Sequence, residues 1–386
     1  MTRRRAYLDW NASAPLRPEA REAMLAAMDE AGNPSAVHAE GRAARAIVER
    51  ARADVAALAG CEPGQVVFTS GASEANTMAF ARLWRGSGFF AATEHESVVA
   101  AAHWGALHDE ALPVDEAGRL HRDHPLFHGV GPVSDDPAIP EGVAVLSVAA
   151  ANGETGVIDP SEDLFRIAKA RGARPHCDAT QAVGRMAFSF RESGAATGAL
   201  SAHKIGGPKG VGAFIHDDRE HPHPLVRGGG QEEGWRAGTE NVIGIAGFAA
   251  AARAAKAELE AGAWERVAEL RNILESRLED AAPDLIILGR EAPRLPNTSC
   301  FAVPGWAGET QVMAMDLAGF AVSAGSACSS GKVARASRVL LAMGFDETTA
   351  SSAIRVSLGP TNTEAEVLAF AEAWTAAWRR RSVKAA

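Results

Sequence analysis

Short apolar runs alternating with amphipathic helices predict an α/β protein built around a largely parallel sheet, followed by a smaller α/β unit. Three observations carry this. Five buried-strand candidates are interleaved with helical stretches up to about residue 216, an Ala-, Glu-, Arg- and Leu-rich stretch runs over 241–280, and a second alternation follows it. At 386 residues, the chain is long enough for one large domain with a smaller one, or for two comparable domains. Hydrophobic residues at 47% and charged residues at 23% exclude a disordered or fibrous chain.

The first clear helix covers 39–58, where Ile47, Ala51, Val55 and Leu58 share one stripe. Buried strands are expected at VVFTS (66–70), FFAAT (89–93), VAVLSVAA (143–150), RPHCD (174–178) and VGAFIH (211–216). Helices are expected at 73–85, 96–108 and 162–171, the last opened by Asp159, Pro160 and Glu162 in capping-box spacing. The stretch 121–142 mixes His, Asp, Pro and Gly without periodicity and reads as an irregular surface connection. The 241–280 stretch reads as long helix joining the two units. Beyond it, LIIL, SCFAV, FAVS and AIRVSL are strand candidates among helical stretches that end with 363–381.

A net charge of -9 argues against a nucleic-acid partner, and the basic clusters Arg3 to Arg5 and Arg379 to Arg381 read as solvated ends. The opening MTRRRAYLDW has no apolar stretch after its basic start, and no run approaches the roughly 20 apolar residues of a membrane span, so a cytoplasmic location is expected. Cys61, Cys177, Cys300 and Cys328 form no C-x-x-C pair, which fits neither a disulfide framework nor a zinc site. The histidine groups His121, His124, His128 and His216, His221, His223 are expected to be solvated loops, and no metal is expected.

Four features of the first unit point to chemistry once they are placed at the carboxyl ends of parallel strands, where open α/β sheets bind ligands. TSGASEAN (69–76) runs a strand into Gly71 and a helix start at Ser73, the geometry of an anion or phosphate site. In HCDATQAVG (176–184), Asp178 ends a strand with Gln181 one turn later. That aspartate suits a protonated ring nitrogen, and capping a helix is its structural alternative. His95 in TEHES follows a strand, placed to stack on a flat cofactor and to pass protons. Lys204 in SAHKIGGPKG is surrounded by Ala202, Ile205, Gly206, Gly207 and Pro208, a setting for a Schiff-base lysine, with an ordinary loop lysine as the alternative. Phosphate cradle, stacking histidine, ring-nitrogen aspartate and lysine together favour pyridoxal 5'-phosphate (PLP).

TSGASEAN, TEHESV, CDATQAVG, SAHKIGGPKG, GGGQEEGWRAGTEN, SAGSACSSG and SAIRVSLG resemble, in identity and order, the cysteine desulfurases of the class V aminotransferase family. The resemblance runs from about Tyr7 to the last helix and implies the PLP-dependent transferase fold of the type I aminotransferases. It implies a large cofactor-binding domain over 16–250, and a small domain over 251–386, together with 1–15, that carries the cysteine loop. It implies PLP bound covalently to Lys204, Asp178 on the pyridine nitrogen, Gln181 on the phenolic oxygen, His95 over the ring, and the phosphate on Ala72, Ser73, Ser201 and His203. Thr239 would reach the phosphate of a neighbouring subunit, implying a homodimer, and Arg355 would bind the substrate carboxylate as a fork. The implied reaction converts L-cysteine to L-alanine and leaves a persulfide on Cys328 for a sulfur-acceptor protein. Iron–sulfur cluster assembly, tRNA thiolation and molybdenum-cofactor sulfuration all use this chemistry. The small residues around Cys328 suggest a mobile loop and an accessible thiol, whereas Cys61, Cys177 and Cys300 sit in ordinary core patterns.

Three departures stand out. Gly153 replaces the second of two asparagines usual before the glutamate, Glu233 stands where a basic residue is usual, and 121–142 lacks the regular helix expected there. Two other readings compete: a class V enzyme for another amino acid, selenocysteine included, and a non-catalytic sulfur-relay protein, for which Gly153 is the hint.

Overall fold

The computed structural model describes residues 5–81, 86–128, 144–217, 224–325 and 336–385. After a two-residue strand β1 (Ala6–Tyr7), the main sheet is built from β2 (Val66–Thr69), β3 (Ser87–Ala91), β4 (His108–Leu112), β5 (Ala144–Ser147), β6 (Arg174–Asp178), β7 (Thr197–Ser201) and β8 (Gly212–His216). Their spatial order is β2-β8-β7-β6-β5-β3-β4. Strands β3 to β7 are mutually parallel, while β8 lies antiparallel to both β2 and β7. Alternation along each strand sends side chains into two layers. Val66, Phe68, Phe89, Leu146, Leu200 and Ile215 meet the helices Ala39–Ala59, Glu162–Ala170 and Val242–Glu260. Val67, Phe90, Val145, Ala199 and Phe214 meet the helices Ala72–Phe80 and Glu96–Gly105 on the other face.

A second sheet is formed by β9 (Ile286–Ile287), β10 (Thr298–Ala302), β12 (Ser323–Ala324) and β13 (Ala353–Ser357), all antiparallel, while β11 (Phe320–Ala321) pairs with β1. One face of β10 turns Phe301 against Trp374, and the other turns Cys300 and Ala302 toward the core of the first unit. The two sheets therefore share a strand's worth of core. No helix among the described residues is long and apolar enough to cross a membrane.

Several expectations need correction. The 39–58 stripe is centred on Val48 rather than Ile47, which is half-buried. The 73–85 helix is Ala72–Phe80, with 82–85 outside the described residues. The 96–108 helix stops at Gly105, and His108 opens β4, an edge strand whose polar His, Asp and Glu give no apolar alternation to read. Asp159 does not cap Glu162–Ala170; its carboxylate accepts from the Leu120 amide at 2.9 Å, and Ser161 is the N-cap. The 241–280 stretch is two helices, Val242–Glu260 and Ala263–Ala281, parted at Gly262 with φ 70°. Residue 250 falls inside the first, which packs on the main sheet as far as Ala255. FAVS splits between β11 and β12, which belong to different sheets. Within 121–142, one helical turn, Pro125–His128, is formed, and 129–142 lies outside the described residues.

The histidines expected in solvated loops also differ. His216 is the buried last residue of β8, stacked on Trp235 with ring centroids 4.2 Å apart, and His124 packs beside Phe89 and Phe127. His221 and His223 lie outside the described residues.

Candidate active site

Because β7 and β8 are antiparallel, the chain between them reverses tightly instead of crossing over, and Lys204 sits in that reversal. The turn Ala202–Lys204 is closed by amides of Ile205 and Gly207 on the Ala202 carbonyl, at 3.0 and 2.9 Å. Gly206 has φ +82°, and a Cβ there would stand 2.6 Å from Arg17 Cγ, so only glycine fits. The N-terminal segment pins the turn: Ala14 N–H donates to His203 O at 2.9 Å and Arg17 Nε to Ile205 O at 2.7 Å. Lys204 Nζ donates to the carbonyls of Asn11 and Ala12 at 2.5 and 3.0 Å. Gln181 Nε2 donates to that same Asn11 carbonyl at 3.1 Å, which brings lysine and glutamine side chains to one point.

Asp178 ends β6 in a buried position. Its Oδ2 accepts from Asn76 Nδ2 at 2.9 Å and its Oδ1 from the Thr180 amide at 3.0 Å. With Nδ2 facing the carboxylate, Asn76 Oδ1 faces His176 Nε2 at 2.9 Å, so that nitrogen carries the proton and His176 Nδ1 accepts from Thr197 Oγ1 at 2.9 Å. Burial pushes His176 down to about 4, which keeps it neutral. The same Asn76 Nδ2 donates to Ser97 Oγ at 2.9 Å, and Ser97 Oγ lies 2.8 Å from His95 Nδ1. His95 Nδ1 also accepts from the Ser97 amide at 3.1 Å as the N-cap of Glu96–Gly105, which leaves the proton of the neutral ring on Nε2. One asparagine thus joins the predicted aspartate and the predicted histidine.

Glu94, next to His95, is buried; its Oε1 accepts from Ser147 Oγ at 2.7 Å. Burial, and secondarily the charge of Asp178, raise its carboxyl to about 8.

The residues expected to take a phosphate lie where β2, β8 and β7 meet at one end: Gly212 pairs with Thr69 on one side and Ser201 on the other. The helix Ala72–Phe80 starts at Gly71 without a side-chain cap, and a Cβ on Gly71 would meet nothing within 4 Å. Amides of the first turn therefore open toward free space with the positive helix end behind them, a donor set that fits a phosphate at Ala72 and Ser73. Burial first, then Lys204, Lys209 and Arg185, lower His203 to about 4. Its Nδ1 lies 3.3 Å from Ser13 Oγ. Thr239 is exposed on the loop before Val242–Glu260.

Arg355 comes from β13 in the second sheet. Its Nη1 donates to Gly153 O at 2.9 Å and its Nη2 to Asp9 Oδ1 at 2.8 Å, while the buried Nε has no partner among the described residues. The fork expected for a carboxylate is thus held by the protein, with Nε left over. A Cβ on Gly153 would stand 2.9 Å from Gln181 Nε2, so the glycine gives Gln181 the space that an asparagine would fill. The neighbouring Glu154 is raised to about 7, chiefly by burial.

The description "Aminotransferase class-V" matches residues 6–370 of the chain. The chain belongs to the aminotransferase class V family. Curated relatives include a cysteine desulfurase of Frankia sp. (strain EuIK1), 41% identical over 381 residues covering 95% of this chain and 89% of the relative. A second, from Cereibacter sphaeroides, is 40% identical and covers 94% of this chain and 93% of the relative. The fold matches a NifS-like protein from Rickettsia africae ESF-5 with a TM-score of 0.88 at 30% identity, covering 97% of this chain and 99% of that one. The chain has the PLP-dependent transferase fold of this class V family and uses PLP.

In this class V chain, the residues that tie the site together were not marked by sequence reasoning: Asn11, Asn76, His176, Glu94 and Arg185. His176 had a readable signal, two positions before Asp178 on the same face of a strand. Asn11 had none, because its partners are 142 or more residues away. Cys328 lies outside the described residues. Cys177 and Cys300 are buried, and burial raises both thiols well above their ordinary value. Cys61 is half-buried.

Proposed function

We propose that the protein is a cysteine desulfurase whose PLP is held covalently on Lys204 and whose Cys328 takes the sulfur of L-cysteine as a persulfide. The observation that carries this reading is the meeting of Lys204 and Gln181 on the Asn11 carbonyl, beside an Asp178 fixed by Asn76. When bound, PLP supplies an electron sink for the substrate α-carbon and so loosens the C–S bond. Asp178 holds a proton at the pyridine nitrogen, and Gln181 donates its amide N–H to the ring oxygen. Ala72, Ser73, Ser201 and His203 take the phosphate, and Thr239 takes that of a partner subunit in a homodimer. Arg355 binds the substrate carboxylate through its Nη groups, exchanging the contacts that they make with Gly153 and Asp9.

Lys204 then removes the α-proton, and His95, its Nε2–H directed away from Ser97, passes protons to the departing and reforming groups. The Cys328 thiolate attacks the substrate sulfur. The S–S bond forms as the C–S bond breaks, the electron pair stays with carbon, and a proton from Lys204 or His95 completes alanine. The persulfide passes to a sulfur-acceptor protein in the cytoplasm.

The test is incubation of the purified protein with L-cysteine, with alanine and protein-bound persulfide both measured, beside Cys328→Ala and Lys204→Ala. Wild type should yield both products. Cys328→Ala should lose productive persulfide, and Lys204→Ala should lose the cofactor's absorption band. A wild type that shows the band but makes no alanine from cysteine would move the assignment to another amino acid substrate.

A further inference from the structure

Four residues after Gln181, Arg185 is fully buried and donates to Asn11 Oδ1 at 2.8 Å, Trp10 O at 3.3 Å, Lys204 O at 3.1 Å and Gln181 Oε1. Every one of these acceptors is neutral, and among the described residues no carboxylate pairs with this guanidinium. That is an unusual way to bury a cation, since an unpaired charge in the interior is costly unless something repays the lost hydration. Burial, then Arg355, push Arg185 down to about 9, so it keeps its charge at neutral pH.

The two other arginines nearby are paired with carboxylates, Arg355 from β13 with Asp9 and Arg17 behind the turn with Glu258. His203 in the turn is lowered to about 4 and is neutral near pH 7, Lys209 is exposed, and Asp178 at the end of β6 is held by Asn76. Arg185 is therefore the buried positive charge of this neighbourhood that no carboxylate offsets. It reaches Asn11 from one side while Lys204 Nζ reaches it from the other.

We propose that Arg185 is a positioning residue for the lysine site: it turns the Gln181 amide so that Nε2 faces the cofactor, and its charge lowers the proton affinity of the nitrogen of Lys204. The first part follows from donor chemistry. A guanidinium has only N–H groups, so the Gln181 atom against it must be the oxygen, and Nε2 must point the other way. The second part follows from Coulomb's law at short range in a partly desolvated site. Two like charges bridged by one residue shift a proton affinity by about one pH unit.

This inference rests on Lys204 as the attachment point of PLP, and it is tested without turnover, by pH titration of the absorption band of the loaded protein in the absence of cysteine. Arg185→Gln keeps donors but loses the charge, and its spectral midpoint should rise by about one pH unit. Arg185→Lys keeps the charge, and its midpoint should stay within about 0.3 units of wild type. Both variants should lower the unfolding temperature, so a merely structural role would show as equal thermal losses with no separation of the midpoints. Asn11→Asp lays a carboxylate against Nη1 without emptying the core, and should also raise the midpoint. An unmoved midpoint in Arg185→Gln or in Asn11→Asp, or an Arg185→Lys shift as large as that of Arg185→Gln, overturns the proposal. Borohydride reduction that attaches the cofactor to a residue other than Lys204 overturns the lysine assignment beneath it, which is a separate and recognisable failure.

Discussion

Glu94 lies beside the proposed stacking histidine with its carboxyl raised to about 8, and the consequence for stability has a definite sign. Between about pH 4.5 and 8, the folded protein holds a proton that the unfolded chain has released, so stability falls as pH rises through that window. Glu154, raised to about 7, acts in the same direction over a narrower range. His176 and His203, both lowered to about 4, act oppositely: the unfolded chain binds their protons first, and stability rises between about pH 4 and 6.5. Of these four groups, Glu94 changes most between about pH 7 and 8, and the tail of the Glu154 titration, in the same direction, is partly offset by the histidines. Urea unfolding of the PLP-loaded protein should show a loss of about 1 kcal/mol between pH 7 and 8, and Glu94→Gln should remove most of it. A wild-type curve that is flat from pH 7 to 8 would mean that Glu94 is ionised in the folded protein. The residues that sequence reading singles out, Lys204, Asp178, His95 and Gln181, stand in short distinctive strings. Glu94 and Asn11 draw their character from burial and distant partners, which no local string encodes.

At the level of elements, the parallel part of the main sheet was legible because its strands alternate with amphipathic helices, whereas the reversal at β8 was not. GAFIH is as apolar as a parallel strand, and direction shows only in the connection: ten residues from Ser201 to Gly212 hold no crossover helix. That reversal places Gly212 against Gly71, at the start of the helix proposed to take the phosphate. A Cβ there would stand 2.4 Å from Leu200 O and 2.7 Å from Gly71 Cα, both backbone atoms that cannot swing aside. Gly212→Ala should therefore push Gly71 and the start of Ala72–Phe80 outward. We expect PLP affinity to fall about tenfold or more, read as cofactor lost on dialysis, with a destabilisation of roughly 1–3 kcal/mol. Gly64→Ala, where a Cβ meets nothing within 4 Å, is the matched control and should leave both unchanged.

Across the whole molecule, the site is assembled from both sheets, and the N-terminal segment is the strap between them. β1 pairs with β11 of the second unit, Asp9 bridges to Ser357, and Asn11 then reaches the Lys204 turn of the first unit. The buried side chain of Asn11 is satisfied on both sides: Nδ2 donates to Gly153 O and Thr298 Oγ1, and Oδ1 accepts from Arg185 and Asn297. Its backbone carbonyl takes Lys204 and Gln181. Asn11→Ala keeps that carbonyl but strips Thr298, Asn297, Gly153 and Arg185 of a shared partner. Leaving such buried groups unpaired costs on the order of 2–4 kcal/mol. Because the lost contacts join the two sheets, the damage should fall on their coupling more than on either core. Wild type should lose PLP fluorescence quenching and far-ultraviolet ellipticity together on urea titration, whereas Asn11→Ala should release the cofactor at lower urea than it loses helix. Coincident transitions in the variant, shifted equally, would mean that Asn11 supports global stability without acting as the strap on which the lysine site depends.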